Sequence, residues 1–362
     1  MKETNKHTNV LDSSKAMTRR TFLKSTAALG ISGLATSIPY QATAKEEAAN
    51  ETKNQTLKFK NGKFKLLQLT DTHYIAGDPR SERALKNVRE MLDLEKPDLV
   101  IHTGDSIFGK PAEQSLREIF APMIERKIPF ALAMGNHDGE YDKSRREVAE
   151  IIRTFPYNLN VGVEGIYGDT NDIITLQSAK DNTTKWVFYL FDSGNYLRED
   201  TYSGYDYIRF DQINWYRQNS NKFTQMNNGK PVPSMAFFHI PLMEFTYGLR
   251  YDTKRFLRGN WGEDPCPPTV NSGLYSVMRE QKDIQAIVCG HDHDNDFAMK
   301  WRGMFFIFGR FSGCNTTYTN LQPNGARVFE FTEGAEGFRS WIREFGGIIS
   351  QNQKYPDDFN KY

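Results

Sequence analysis

The stretch VCGHDHDND, residues 288–296, places His291 and His293 among the carboxylates Asp292, Asp294 and Asp296, directly after the apolar run 284–288. A short β-prone run that stops on this much charge reads as a buried strand ending on a polar loop. Groups so costly to bury without partners are expected to hold something.

The same punctuation recurs upstream. Strands expected over 63–70, 98–103, 130–134 and 234–238 end on DTH (Asp71, Thr72, His73), GD (Gly104, Asp105), GNHD (Gly135, Asn136, His137, Asp138) and His239 within FFHIP. Amphipathic spacing predicts helices over 80–95 and 111–126, so the first three strands form successive β-α units. Open α/β sheets bind ligands just beyond the carboxyl ends of their strands, and each cluster falls at such an end. Five of the chain's seven histidines lie in these clusters. Residues 57–60 and 63–70 read as a hairpin closed by a type I′ turn at Asn61-Gly62. Further strands are expected over 172–177 and 185–191, helices over 212–222 and 270–279, and a closing meander of aromatic strands over 297–311 and 326–331.

The 362 residues are 38% apolar and 25% charged, enough for a large core, and 46 basic against 45 acidic residues give a net charge of +1. No overall field points to nucleic acid or an acidic membrane. Thr18-Arg19-Arg20-Thr21-Phe22-Leu23-Lys24, an apolar stretch over 26–39 and Ala42-Thr43-Ala44 read as a twin-arginine signal peptide over 1–44 with an A-x-A cleavage site. The stretch is shorter than the roughly 20 residues of a membrane span. The expectation is export by the twin-arginine machinery to a periplasmic or secreted location without a membrane anchor. A linker over 45–56, a catalytic domain over 57–350 and a C-terminal tail over 351–362 complete the expected organisation. Cys266, Cys289 and Cys314 allow one disulfide at most, and with Cys289 in a strand the candidate pair is Cys266 with Cys314.

The ordered set DTH, GD, GNHD, H, GHDH resembles the calcineurin-like metallophosphoesterases, and FFHIP and GHDHDND are most similar to their purple-acid-phosphatase-like branch. The resemblance spans residues 58–296. It implies an α/β (α+β) fold, a four-layer α-β-β-α sandwich of two mixed sheets flanked by helices, with a dimetal site at the strand carboxyl ends. It also implies that Asp71, His73 and His293 hold one divalent ion, that Asn136, His239 and His291 hold the other, and that Asp105 bridges. Two ions about 3.5–4 Å apart would acidify a shared water, which attacks a phosphoester in line. His137 would serve as an acid, or as a stabiliser of charge near the leaving group. The implied activity is a phosphoric ester hydrolase on a small phosphoester, first of all a monoester. A phosphodiesterase or nucleotide hydrolase on the same site, and a catalytically silent metal-dependent binding module, are the alternatives.

Purple phosphatases carry an iron-binding tyrosine three residues after the bridging aspartate and lack the histidine of the first cluster. Here Phe108 stands at that position and His73 is present. The exchange implies two divalent ions, Mn, Zn or Fe, without a tyrosinate colour. In an extended chain His291 and His293 would point to one side and Asp292 to the other, as a group orienting the ligands. Asp294 and Asp296 read as solvated loop carboxylates, and Asp138 has no assigned part. Residues 241–268, rich in aromatics and cations, supply Arg250, Arg255 and Tyr247 as candidate substrate contacts; a surface loop is the alternative. Tyr202, Tyr205 and Tyr207 are candidates for the same rim.

Overall fold

The computed structural model describes residues 56–360 apart from 200–201 and 252–256. The expected signal peptide over 1–44 and all but the last residue of the expected linker lie outside the described residues.

In chain order the first part comprises β1 (Leu57–Lys58), β2 (Lys63–Leu69), α1 (Glu82–Glu95), β3 (Leu99–His102), α2 (Ala112–Glu125), β4 (Phe130–Leu132) and α3 (Arg145–Arg153). There follow β5 (Asp172–Gln177), β6 (Thr184–Leu190), β7 (Tyr196–Glu199), β8 (Tyr202–Tyr205), α4 (Phe210–Met226), β9 (Ser234–Phe237), α5 (Met243–Tyr251) and β10 (Leu257–Arg258). The chain continues with α6 (Leu274–Gln281), β11 (Ile284–Cys289), β12 (Ala298–Trp301), β13 (Met304–Phe308), β14 (Gly325–Thr332), β15 (Phe338–Glu344) and β16 (Ile349–Tyr355). One sheet has the order β16-β15-β14-β2-β3-β4, the other β1-β5-β6-β9-β11-β13-β12-β10, and β7 pairs with β8 alone. Both large sheets are mixed: β2, β3 and β4 run parallel, as do β6, β9, β11 and β13, with antiparallel strands outside them.

Strand alternation assigns the layers. In β2, Phe64 and Leu66 join a core shared with Phe188, Phe237 and Val288 of the second sheet, whereas Leu67 and Leu69 join a core with Val88, Met91 and Phe120 of α1 and α2. In β11, Ala286 and Val288 face the first of these cores, while Ile287 and Cys289 pack with Tyr216, Phe245 and Met278 of α4, α5 and α6. Three apolar interfaces thus separate helices, sheet, sheet and helices, as the resemblance implied. Helix α1 forms because Ala84, Val88, Met91 and Leu92 recur on one face, and it stops at Lys96, in the left-handed region ahead of Pro97.

Several expectations are corrected. The Asn61-Gly62 turn is present, with φ of 52° and 73°, but the hairpin amounts to the reciprocal Lys60–Lys63 pair. A strand apolar on both faces belongs inside a sheet, so β2 lies between β14 and β3, and β1 pairs with β5 in the other sheet. The tail expected over 351–362 instead contributes to β16 and to a 3-10 turn, Asp357–Phe359. The polar edge strand buries Tyr355 and Phe359 against Phe305, with ring centroids 4.8 and 5.1 Å away. All three cysteines are free: Cys314 is packed beneath α1 while Cys266 is exposed, which removes the candidate bridge.

Asp294 and Asp296 are buried rather than solvated. Asp294 accepts from Asn320 and Leu321, tying the strand-end loop to the chain beyond β13. Asp296 pairs with the buried Arg310 at 2.5 Å and accepts from Asn260 and from Gln351 of β16. Replacing Asp296 by alanine leaves a buried guanidinium without its partner, and thermal unfolding of Asp296→Ala is expected to show a loss of about 3–5 kcal/mol. A loss below about 1 kcal/mol would contradict a structural part for this carboxylate.

Candidate metal centre

The carboxyl ends of β2, β3, β4, β9 and β11 bring Asp71, His73, Asp105, Asn136, His137, His239, His291 and His293 together. The loops are laced across the strands: Asp71 N–H donates to Gly104 O at 3.0 Å, His73 N–H to Asp105 O at 3.0 Å and Gly290 N–H to His239 O at 3.2 Å. Asp71, His73, Asp105 and His291 all take positive φ, of 53°, 45°, 51° and 80°. Each such residue costs on the order of 1–3 kcal/mol and persists where surrounding structure over-determines it, typically at a working site. His291 and His293 therefore lie on a tight turn rather than on an extended strand. They reach the site because His291 N–H is pinned to the Asp71 carboxylate at 3.1 and 3.2 Å.

Two buried triads of donor atoms result, Asp71 with His73 and His293, and Asp105 with His239 and His291. His73 Nε2 faces His293 Nε2 at 3.1 Å, and His239 Nε2 stands 3.2 Å from His291 Nδ1 and 3.1 Å from Asn136 Oδ1. One oxygen serves both groups: Asp105 Oδ2 is 3.7 Å from His73 Nε2 and 3.1 Å from His239 Nε2. Donors bound at about 2.0–2.2 Å to a common ion stand roughly this far from one another. With His293 Nδ1 turned to the Tyr318 carbonyl at 2.8 Å and His239 Nδ1 to the Thr103 carbonyl at 2.7 Å, the Nε2 lone pairs of both rings face the site, where a proton or a cation can lie between the nitrogens, and the donor set fits two cations.

The electrostatics agree. Burial pushes the Asp71 and Asp105 carboxyls up, but His293 and His239 beside Asp71, and His239 beside Asp105, hold both well below the usual carboxylate range. Burial pushes His239 down, yet Asp105 and Asp71 outweigh it and raise it to about 9; His293 rises through Asp71. His73 and His291 fall to about 3, through burial and then the imidazoles of His293 and His239 respectively. In each triad the carboxylate thus favours positive charge on the imidazole beside it, His293 in one and His239 in the other, the sign of charge that a bound cation would supply.

Asp138, assigned no part from the sequence, organises the β3 loop. Its buried carboxylate accepts from the N–H groups of Asp105, Ser106 and Gly135 at 3.0, 2.8 and 2.8 Å, and from Ser106 Oγ at 2.6 Å. Asp105 is oriented further by His137 N–H, which donates to its Oδ1 at 2.8 Å. Asp292 accepts from Cys266 N–H, and its burial raises its carboxyl well above the usual range. It ties the His291–His293 turn to the segment around Cys266. The glycines serve two purposes. Gly104 has φ of 87°, whereas a Cβ on Gly290 would meet Thr70 Oγ1 at 1.9 Å, so there the need is close approach rather than a turn.

Aromatic rings wall the centre. Phe108 packs edge-on against His73 and His137, both centroids at 4.8 Å; Tyr205 lies 4.3 Å from His291 and Tyr318 stacks on His293 at 4.5 Å. Asn136 Nδ2 donates to Tyr196 Oη at 3.0 Å. Tyr196 and Tyr318 were not singled out from the sequence; the short β7–β8 hairpin and the loop before β14 carry no pattern that announces them. Of the expected substrate contacts, Tyr247 packs on the outer helical core, Arg250 is exposed on α5, and Arg255 lies outside the described residues. Neither Tyr247 nor Arg250 is in contact with the donor set among the described residues.

All the groups around the Asp138 carboxylate are donors, so an amide there turns its own N–H groups toward them. Asp138→Asn is expected to weaken binding of Mn²⁺ or Zn²⁺ about 10–100-fold in chelator competition, with the fold retained. Unchanged affinity would contradict the orienting part of Asp138.

A family model described as calcineurin-like phosphoesterase matches residues 64–295. A protein of Arabidopsis thaliana named probable inactive purple acid phosphatase 29 is 32% identical over 281 residues, covering 69% of this chain and 72% of its own. Phosphatase DCR2 of Saccharomyces cerevisiae is 33% identical over 273 residues, which is 66% of this chain and 45% of its own. Among solved structures, a dimetal phosphatase from Danio rerio shares the fold at a TM-score of 0.53 and 12% identity, over 80% of this chain and 98% of its own. The paired triads sit inside the matched segment, and the chain belongs to the calcineurin-like phosphoesterase family, with its relatives on the purple-acid-phosphatase-like side.

Proposed function

We propose that the protein is an exported dimetal phosphohydrolase, acting most readily on a phosphomonoester. The observation that carries the reading is the completeness of the donor set: all seven positions hold competent nitrogen or oxygen donors, gathered into two buried groups that share Asp105. Asp71, His73 and His293 would hold one divalent ion, Asn136, His239 and His291 the other, with Mn²⁺, Zn²⁺ or Fe²⁺ matching these donors. When bound, such a pair supplies an acidified water and offsets charge on the phosphoryl oxygens. Asp105, fixed by Asp138 and by His137 N–H, keeps the two groups in register. The His137 ring, partly exposed beside Phe108, has Nδ1 engaged by Glu140; Nε2 is then the nitrogen that can give a proton to the departing alcohol. The twin-arginine leader supports export to a periplasmic or secreted location, and no described helix is long and apolar enough to cross a membrane.

A second reading, a catalytically silent metal-binding module, is favoured by the word inactive in the names of relatives such as the Arabidopsis protein. Diesterase or nucleotide hydrolase activity on the same centre is the nearer variant of the first reading. Assays with p-nitrophenyl phosphate, its bis-ester and nucleotides, with Mn²⁺ or Zn²⁺ added, separate these. Turnover is expected, highest on the monoester, lost on chelation, and reduced by more than about 100-fold in Asp105→Asn. Metal binding without turnover on any ester would favour the silent module.

A further inference from the structure

Beside the donor set lies an open cleft of about 730 Å³, whose lining includes Glu140, Tyr141, Tyr167, Tyr196, Asp206 and Arg209. Two of its walls are joined to the centre itself. Glu140 is hydrogen-bonded to His137, and Tyr196 Oη accepts from Asn136 at 3.0 Å. Tyr196 is also the cross-strand partner of Tyr205, their rings stacked at 5.7 Å, and Tyr205 stands edge-on to His291. The β7–β8 hairpin thus forms a continuous aromatic wall running from the centre into the cleft, on the side of His137.

The charge of the cleft selects among ligands. The lining contains two carboxylates, Glu140 and Asp206, against one guanidinium, Arg209. Arg209 is already committed, donating to Asp206 Oδ1 at 2.8 Å and lying over the rings of Tyr207 and Tyr167 at 3.9 and 4.9 Å. No cation among the described lining residues is left to neutralise a second phosphate, whereas Tyr141, Tyr167 and Tyr196 offer ring surface, the Tyr167 hydroxyl being held by Asp206 and that of Tyr196 by Asn136. Stacked or edge-on ring contacts contribute about 0.5–1.5 kcal/mol each.

We propose that this cleft is the leaving-group subsite of the centre and takes an uncharged, ring-bearing alcohol, a nucleoside or a sugar. The proposal rests on the phosphohydrolase reading. The enzyme then prefers monoesters of ring alcohols to acyclic monoesters and to nucleoside polyphosphates, whose extra charge meets the carboxylates of the cleft.

The test compares kcat/KM of the full metal-loaded chain on adenosine monophosphate, glucose phosphate, glycerol phosphate and adenosine triphosphate. These leaving groups or chain lengths differ mainly in what the cleft must hold. The ring monoesters are expected to exceed glycerol phosphate by about 10-fold, chiefly through KM, and adenosine monophosphate to exceed the triphosphate. The faster of the two ring esters identifies the nucleoside or the sugar as the occupant. Tyr167→Ala should reduce the ring-to-acyclic ratio by about 10-fold, and Tyr167→Phe, which keeps the ring, should restore it. Turnover with a flat ratio, faster triphosphate than monophosphate, or a ratio unmoved by Tyr167→Ala would overturn the subsite while leaving the hydrolase reading in place. Absence of turnover on all four esters would overturn the subsite alone where p-nitrophenyl phosphate or its bis-ester is still cleaved, and both readings where it is not.

Discussion

Two imidazole nitrogens 3.1 Å apart in a buried site, with a second pair at 3.2 Å and a shared carboxylate oxygen between the groups, are held together most firmly when positive charge lies among them. Protons can supply part of that charge, and the carboxylates of Asp71 and Asp105 favour it by raising His239 and His293. Divalent cations supply it more completely and leave every imidazole neutral, which is the form that coordinates. The remaining features of the centre follow from holding these donors against their mutual repulsion.

Holding them is the task of backbone and carboxylates rather than of apolar packing alone. Four residues of the donor set accept left-handed conformations, and the carboxylates of Asp138, Asp292, Asp294 and Asp296 each tie a strand-end loop to a neighbouring segment. The two sheets make this possible. Strands β2, β3 and β4 of one sheet and β9 and β11 of the other present their carboxyl ends to the site, each group supplying one part of the set across a core filled by Phe64, Phe188, Phe237 and Val288.

Much of this was legible in the sequence, because a strand that ends in His or Asp is conspicuous against its apolar run. The β-α units and the polar clusters at the strand ends followed from that pattern, while the layer order and the grouping of the donors followed from the family resemblance those clusters carry. What was not legible depended on neighbours remote in the chain. β2 looked like half of a hairpin, since its Asn-Gly turn is a local signal; that it lies inside a sheet is decided by β14, more than 250 residues away. Asp138 and Asp296 carry no local sign of burial, and the polar β16 resembles a tail until Tyr355 and Phe359 are seen against Phe305. The expected substrate contacts on α5 were drawn from composition, which records cations and aromatics but not the face they occupy; of the rim candidates, Tyr205 of β8 does stand in the aromatic wall, and Tyr196 of β7 joins it without having been singled out.

The account as a whole depends on a pair of cations shared through Asp105. Metal content of the purified, folded chain after reconstitution with Mn²⁺ or Zn²⁺ tests this most directly. The account predicts two ions per chain, both lost together when Asp105 is replaced by alanine; one ion or none at saturation, with the fold intact, would contradict it.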